Sequence, residues 1–191
     1  AADLNYPDAQ YNLGIIYSEG KYVQRNIDKA IYYLTLAADQ DDQHAQYNLG
    51  AIYADGEYIK VDINKAVHYL SLSANQNDVR AQLLLGNIFY EGRYIKKDIN
   101  KAINYLTLAA DQNDPKAQFI LGLIYYFGEY VERNIDKAID YLTLAADQDD
   151  VEAQFQLGNM YYIDKHVPHD INKALHYLTL AADKNNTKAQ Y

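Results

Sequence analysis

One spacing governs this sequence. Ala-Gln recurs at Ala9, Ala45, Ala81, Ala117, Ala153 and Ala189, each 36 residues after the last. Gly14, Gly50, Gly86, Gly122 and Gly158 keep the same step, as do Ala30, Ala66, Ala102, Ala138 and Ala174. A period in this range marks stacked supersecondary units, none of which can bury its apolar face alone. Comparison between copies inside the chain then sorts the positions. Columns that never change hold the stack together, and columns that change are open to other work.

Each copy reads as two helices. In the first, helix A runs from Pro7 to Glu19, with Ala9, Leu13, Ile16 and Tyr17 on one face. Helix B runs from Ile27 to Gln40, with Ile27, Ala30, Ile31, Leu34, Ala37 and Ala38 as its apolar stripe. No segment alternates with period two, so strands are not expected.

The helix ends carry their own signals. The column before helix B reads Asn26, Asp62, Asp98, Asn134 and Asp170, side chains that accept from free backbone donors of a first turn. Before helix A it reads Asp42, Asp78, Asp114, Asp150 and Asn186, and Pro7 and Pro115 take the first helical position. Gly20, Gly56, Gly92 and Gly128 suit the left-handed residue that closes helix A. Asn5, Asp41, Asn77, Asn113, Asp149 and Asn185 do the same for helix B. Gly14 and its equivalents sit inside helix A at a cost of about 1 kcal/mol against Ala. Their recurrence predicts close approach of the A and B backbones.

At Ala9–Gly14 (Ala-Gln-Tyr-Asn-Leu-Gly), Ile16-Tyr17 followed by Gly20, Lys29-Ala30 after an Asx cap, and Ala37-Ala38 with Gln40, the chain resembles the Sel-1-like repeat family, relatives of the tetratricopeptide repeats. The resemblance spans the whole sequence. It implies an all-α fold, a right-handed α/α superhelix of five 36-residue helix–turn–helix repeats at about 7–42, 43–78, 79–114, 115–150 and 151–186, with partial helices at 1–4 and 187–191. It also implies a protein–protein adaptor rather than an enzyme. The sequence departs from the family in three ways. Tyr22, Tyr58, Tyr94, Tyr130 and His166 stand where many members have a second Gly, helix B ends on Asn or Asp, and no disulfide is possible.

Composition narrows function further. The 191 residues are 49% hydrophobic and 23% charged, enough for a packed core. With no cysteine there is neither a disulfide framework nor a thiolate metal site. The absence of cysteine fits a reducing compartment without proving one, and with no signal-peptide pattern in this sequence a cytoplasmic setting is favoured while localisation stays open. No apolar run reaches the ~20 residues of a membrane span. The net charge of −9 argues against nucleic acid and favours a basic or amphipathic protein or peptide. Most of the 21 tyrosines fall in repeated columns (Tyr17, Tyr53; Tyr33, Tyr69, Tyr105, Tyr141, Tyr177), which reads as interhelical packing rather than a base-stacking platform.

A partner would use the changing columns of helix A. These are Asp8, Asn12, Ile15, Glu19; His44, Asn48, Ala51, Asp55; Arg80, Leu84, Asn87, Glu91; Lys116, Ile120, Leu123, Phe127; and Glu152, Gln156, Asn159, Ile163. Their spacing places them on one helical face, which the tetratricopeptide likeness puts in the groove. Leu84, Asn87, Ile120, Leu123, Phe127, Asn159 and Ile163 form the candidate docking patch, apolar where other copies carry Asn, Asp or Glu. The alternative is that repeat stagger buries these apolar residues against the next copy.

Other groups have simpler readings. His166, His169 and His176 beside Asp170 could ligate a metal, but turn and exposed-column positions favour a solvated polar face, and no cofactor is expected. Lys29, Lys65, Lys101, Lys137 and Lys173 oppose the helix dipole in the first turn of helix B. Glu19 and Asp55 are candidate partners in the early copies, but Phe127 and Ile163 replace them later. The sequence opens on the tail of a helix B and stops at the start of a helix A, which reads as a fragment of a longer protein or as ends covered by oligomerisation. The expected function is a scaffold holding a protein or peptide along helix A. A structural spacer or self-assembling element without a groove ligand is the alternative.

Overall fold

The chain was analysed as a computed structural model, which describes residues 6–183. Those residues form ten α-helices and no strand, an all-α solenoid of helix–turn–helix repeats. The A helices are α1 (Pro7–Glu19), α3 (Gln43–Asp55), α5 (Val79–Glu91), α7 (Pro115–Phe127) and α9 (Val151–Ile163). The B helices are α2 (Ile27–Ala38), α4 (Ile63–Asn75), α6 (Ile99–Asp111), α8 (Ile135–Ala146) and α10 (Ile171–Asp183). In the first copy helix B stops at Ala38 rather than Gln40, because Gln40 and Asp41 turn the chain instead. The chain divides into two compact units, Ala1–Asp98 and Ile99–Tyr191. In the first, α1 packs on α2, α2 on α3, α3 on α4 and α4 on α5; in the second, α6 through α10 pack in the same sequential way from α6·α7 to α9·α10.

Local chemistry sets these bounds. Asn26, Asp62, Asn134 and Asp170 each accept from the backbone N–H three residues on, at 2.9–3.1 Å. Asp42, Asp114 and Asp150 cap their A helices at 2.7–2.8 Å. Tyr6 caps α1 without a side-chain bond, leaving Pro7 to start the helix. Asp41, Asn77, Asn113 and Asp149 take the left-handed conformation (φ 62–66°), as Gly20, Gly56, Gly92 and Gly128 do. Asn5, Asn185 and Asn186 lie outside the described residues. A further tie closes every A–B turn: the cap residue of helix B donates its N–H to the carbonyl at Tyr17, Tyr53, Phe89, Tyr125 or Tyr161, at 2.9–3.1 Å.

The constant columns are the core. Ala30, Ala66, Ala102 and Ala138, with Leu34, Leu70, Leu106 and Leu142, are 0% exposed. The helix A glycines face those leucines. A Cβ on Gly122 would stand 2.6 Å from Leu142 Cγ, and one on Gly50 would stand 2.5 Å from Leu70 Cγ. No real contact is that short, so glycine here is the condition for helix contact.

The second residue of the repeated Ala-Gln is a buried hydrogen-bonding element. Gln46, Gln82, Gln118 and Gln154 donate to Ala38, Ala74, Ala110 and Ala146 carbonyls at 3.1–3.3 Å, satisfying helix B ends that water cannot reach. Two of those side-chain carbonyls are met in turn: Gln76 Nε2 donates to Gln46 Oε1 at 2.9 Å and Gln148 Nε2 to Gln118 Oε1 at 2.7 Å, whereas Gln154 Oε1 is buried without a hydrogen-bond partner among the described residues.

The recurrent lysines find a partner other than the expected carboxylates. Lys29, Lys65, Lys137 and Lys173 place Nζ 4.8–5.0 Å from the ring centroids of Tyr17, Tyr53, Tyr125 and Tyr161. Lys65 also pairs with its own cap, Asp62, at 3.9 Å, and not with Asp55. Each of those rings stacks on the tyrosine of helix B, for example Tyr125 on Tyr141 at 6.0 Å and 3°. The ring face supplies what the macrodipole withholds.

Candidate functional site

The candidate residues fall into both units. In the first, Leu84 and Asn87 of α5 are half-buried. In the second, Ile120 and Leu123 of α7 and Asn159 of α9 are half-buried, while Phe127 is 58% exposed and Ile163 71%. Partial burial by repeat packing therefore applies to the first three of the apolar candidates and not to the last two.

Between the C-terminal ends of α7 and α9 lies an open cleft of about 370 Å³, lined by Tyr126, Gln156, Asn159, Met160, Ile163, Asp164, Lys165 and His166. Asn159 and Ile163 thus line one depression, with Phe127 next to it in ring contact with Tyr126. Met160, 1% exposed, backs the wall.

The cleft exists because the fifth A–B turn differs from the other four. Where they have a left-handed Gly, this one has Asp164 in extended backbone (φ −78°, ψ 119°). Asp164 Oδ1 accepts from the His166 N–H at 2.8 Å, an Asx turn, and Val167 is driven into the core. Its other oxygen accepts from the Tyr126 hydroxyl and lies 3.6 Å from the Arg133 guanidinium. Arg133 also donates to the Tyr126 carbonyl at 2.8 Å, fixing the Arg to the end of α7.

Burial pushes the Asp164 carboxyl up, but the Tyr126 hydroxyl, the His166 N–H and the Arg133 charge together hold it below the usual carboxylate range. Tyr126 responds oppositely: burial, then the hydrogen bond and charge of Asp164, push its hydroxyl up to about 12. The trio is a fixed strut between α7 and the fifth turn, with its acid fully engaged.

The sequence reading found Asn159 and Ile163 but not the cleft. Its one legible signal is the break in the glycine column at Asp164. Tyr126 belongs to a column (Ser18, Ala54, Tyr90, Tyr126, Tyr162) outside the four assigned to the docking face, so the spacing did not mark it as a wall. His166 and His169 are exposed in the turn and His176 on α10. Among the described residues no group of three or more His, Cys, Asp or Glu is placed to hold a metal ion, and no helix is long and apolar enough to cross a membrane.

The described geometry has clear counterparts. The Sel1 repeat family matches five times, at residues 7–42, 43–78, 79–114, 115–150 and 151–186. No curated protein matches the sequence. Among solved structures, a protective antigen of uropathogenic Escherichia coli strains with an SLR fold is 29% identical with a TM-score of 0.93. That match covers 100% of this chain and 41% of the antigen, so the chain spans about two fifths of that relative's length. A Sel1 repeat protein from Oxalobacter formigenes is 32% identical with a TM-score of 0.83, covering 97% of this chain and 76% of the other. Helicobacter pylori cysteine rich protein B is 26% identical over 70% of this chain and 96% of its own, with a TM-score of 0.53. With five matches in register over nearly its whole length, the chain belongs to the Sel1 repeat family.

Proposed function

We propose that this chain is a protein-interaction scaffold and that the α7–α9 face of its second unit docks a short protein segment. Sel1 repeats generally mediate protein interactions, and their fold is a repeat scaffold rather than a catalytic framework. The observation that carries the finer reading is the exposure of Phe127 (58%) and Ile163 (71%) beside a cleft, on columns that the stack does not use. Two large apolar side chains left in water at one place cost free energy that a partner recovers, about 25 cal/mol per Å² covered. Ile120 and Leu123 extend the apolar surface along α7 and Asn159 supplies a polar contact on α9. Leu84 and Asn87, on α5 of the first unit, are proposed as a separate contact of the same kind.

Capture from cell extract with the immobilised chain tests the reading, against a Leu123→Asp, Phe127→Asp double variant that keeps its helical circular dichroism. A reproducible binder lost by the variant is the expected result. Equal capture by both proteins, or none by either, sinks the docking face.

A further inference from the structure

We infer that the cleft between α7 and α9 receives an extended segment presenting an acidic side chain next to an apolar one. This deepens the docking reading above and depends on it. The chain as a whole carries a net charge of −9, which favours a basic partner. The local charge has the other sign. Asp164, the acid in the cleft wall, has its side chain only 10% exposed and both oxygens occupied, by the Tyr126 hydroxyl and Arg133 on one and the His166 N–H on the other. Lys165 and His166, by contrast, are exposed on the cleft rim, and Lys165 has no ion pair among the described residues. Within a Debye length of about 8–10 Å, such nearby groups outweigh the remote net charge. The unanswered charge at this place is positive.

The remaining wall sets the rest of the ligand's chemistry. Gln156 and Asn159 are half-buried and line the cleft, and their side-chain amides make no hydrogen bond among the described residues. Each offers both a donor and an acceptor, the pattern needed to pair with a peptide unit of an extended main chain. Ile163 and Met160 make the apolar part of the wall. A volume of about 370 Å³ is at the small end of ligand clefts. It accommodates side chains of a segment rather than the surface of a folded domain. The acidic group faces Lys165 and His166, the main chain faces Gln156 and Asn159, and the apolar side chain faces Ile163.

The test is selection of a displayed random octapeptide library on the full chain, followed by anisotropy titration of the selected peptides against variants. Binders enriched in Asp or Glu beside Leu, Ile, Val or Phe are expected. Lys165→Glu should weaken them about tenfold and His166→Glu add to the loss, with helicity unchanged because both residues lie in an exposed turn. Binding should also fall as salt is raised. Selected peptides that lose binding in Phe127→Asp yet show no acidic preference, or a basic one, overturn this inference and leave the docking face standing. Failure to select any peptide, or selection indifferent to Phe127 and Ile163, removes the docking face as well. Exclusive binding of a second copy of the chain, seen by sedimentation, overturns the inference in favour of self-assembly.

Discussion

The A-helix surfaces of the two units are built from the same columns and end up chemically opposite. In the first unit Arg80 and His44, from neighbouring A helices, engage each other. Arg80 donates to Asp78 at 2.6 Å and to His44 Nδ1 at 3.1 Å, and lies 4.2 Å from the Tyr47 ring centroid. His44 in turn meets the Tyr11 ring at 6.0 Å, and Asn48 bonds back to its own helix at 2.8 Å. In the second unit the corresponding columns of α7 and α9 present Phe127 and Ile163 to water, and the amides of Gln156 and Asn159 have no partner among the described residues. Residue type in a changing column does not tell a free polar group from a satisfied one. The neighbouring copy, 36 residues away, decides it.

If that contrast is functional, Leu123→Asp with Phe127→Asp should lower partner affinity by tenfold or more, whereas Ala51→Asp on α3 should leave it unchanged. Titration of a captured partner checks both. The scaffold, by contrast, should be indifferent to unit. Gly50→Ala and Gly122→Ala should each destabilise by about 1–3 kcal/mol, because the new methyl meets Leu70 or Leu142 at a fully buried site and the propensity gain of ~1 kcal/mol does not offset it. Urea unfolding measures this. Lys65→Met and Lys137→Met should each cost about 0.5–1 kcal/mol in the same assay, through loss of the ammonium over Tyr53 and Tyr125. A large gap between the paired variants would mean that the repeats are not energetically equivalent.

The smallest effect concerns acid. Asp78 and Asp164 both have carboxyls pushed up by burial but held, on balance, below the usual carboxylate range, chiefly by Arg80 in one case and by Tyr126 and the His166 N–H in the other. A depressed folded-state pKa stabilises above the unfolded value and is lost as pH falls through the folded one. Stability of the native chain should therefore drop more steeply below pH ~4 than that of Asp78→Asn or Asp164→Asn. At the alkaline end Tyr126, raised to about 12, contributes stability that is present below its ordinary 10.0 and lost as pH climbs toward 12. Thermal melts across both ranges report it.

The fold was legible because its determinants are local. Caps, left-handed closing residues and the glycine facing a leucine are written within one copy, and Asn26, Asp62, Asn134 and Asp170 accept at the starts of their B helices as their positions predict. What stayed illegible pairs residues across helices. The lysine column looked like a liability against the dipole until the ring of the preceding A helix was placed beneath it. The Gln of Ala-Gln looked like a signature and is a buried donor to helix B. The cleft needed the most: a broken glycine column at Asp164, the Asx turn that follows, and Tyr126 and Arg133 from the copy before.

The central claim is that one face of the second unit holds a partner while the constant columns hold only the stack. Amide hydrogen exchange of the chain with and without a captured partner or selected peptide tests it most directly. The account predicts added protection at the C-terminal halves of α7 and α9 and at residues 164–166, with α1–α3 unchanged. Protection confined to α1–α3, or to the B helices, would contradict it.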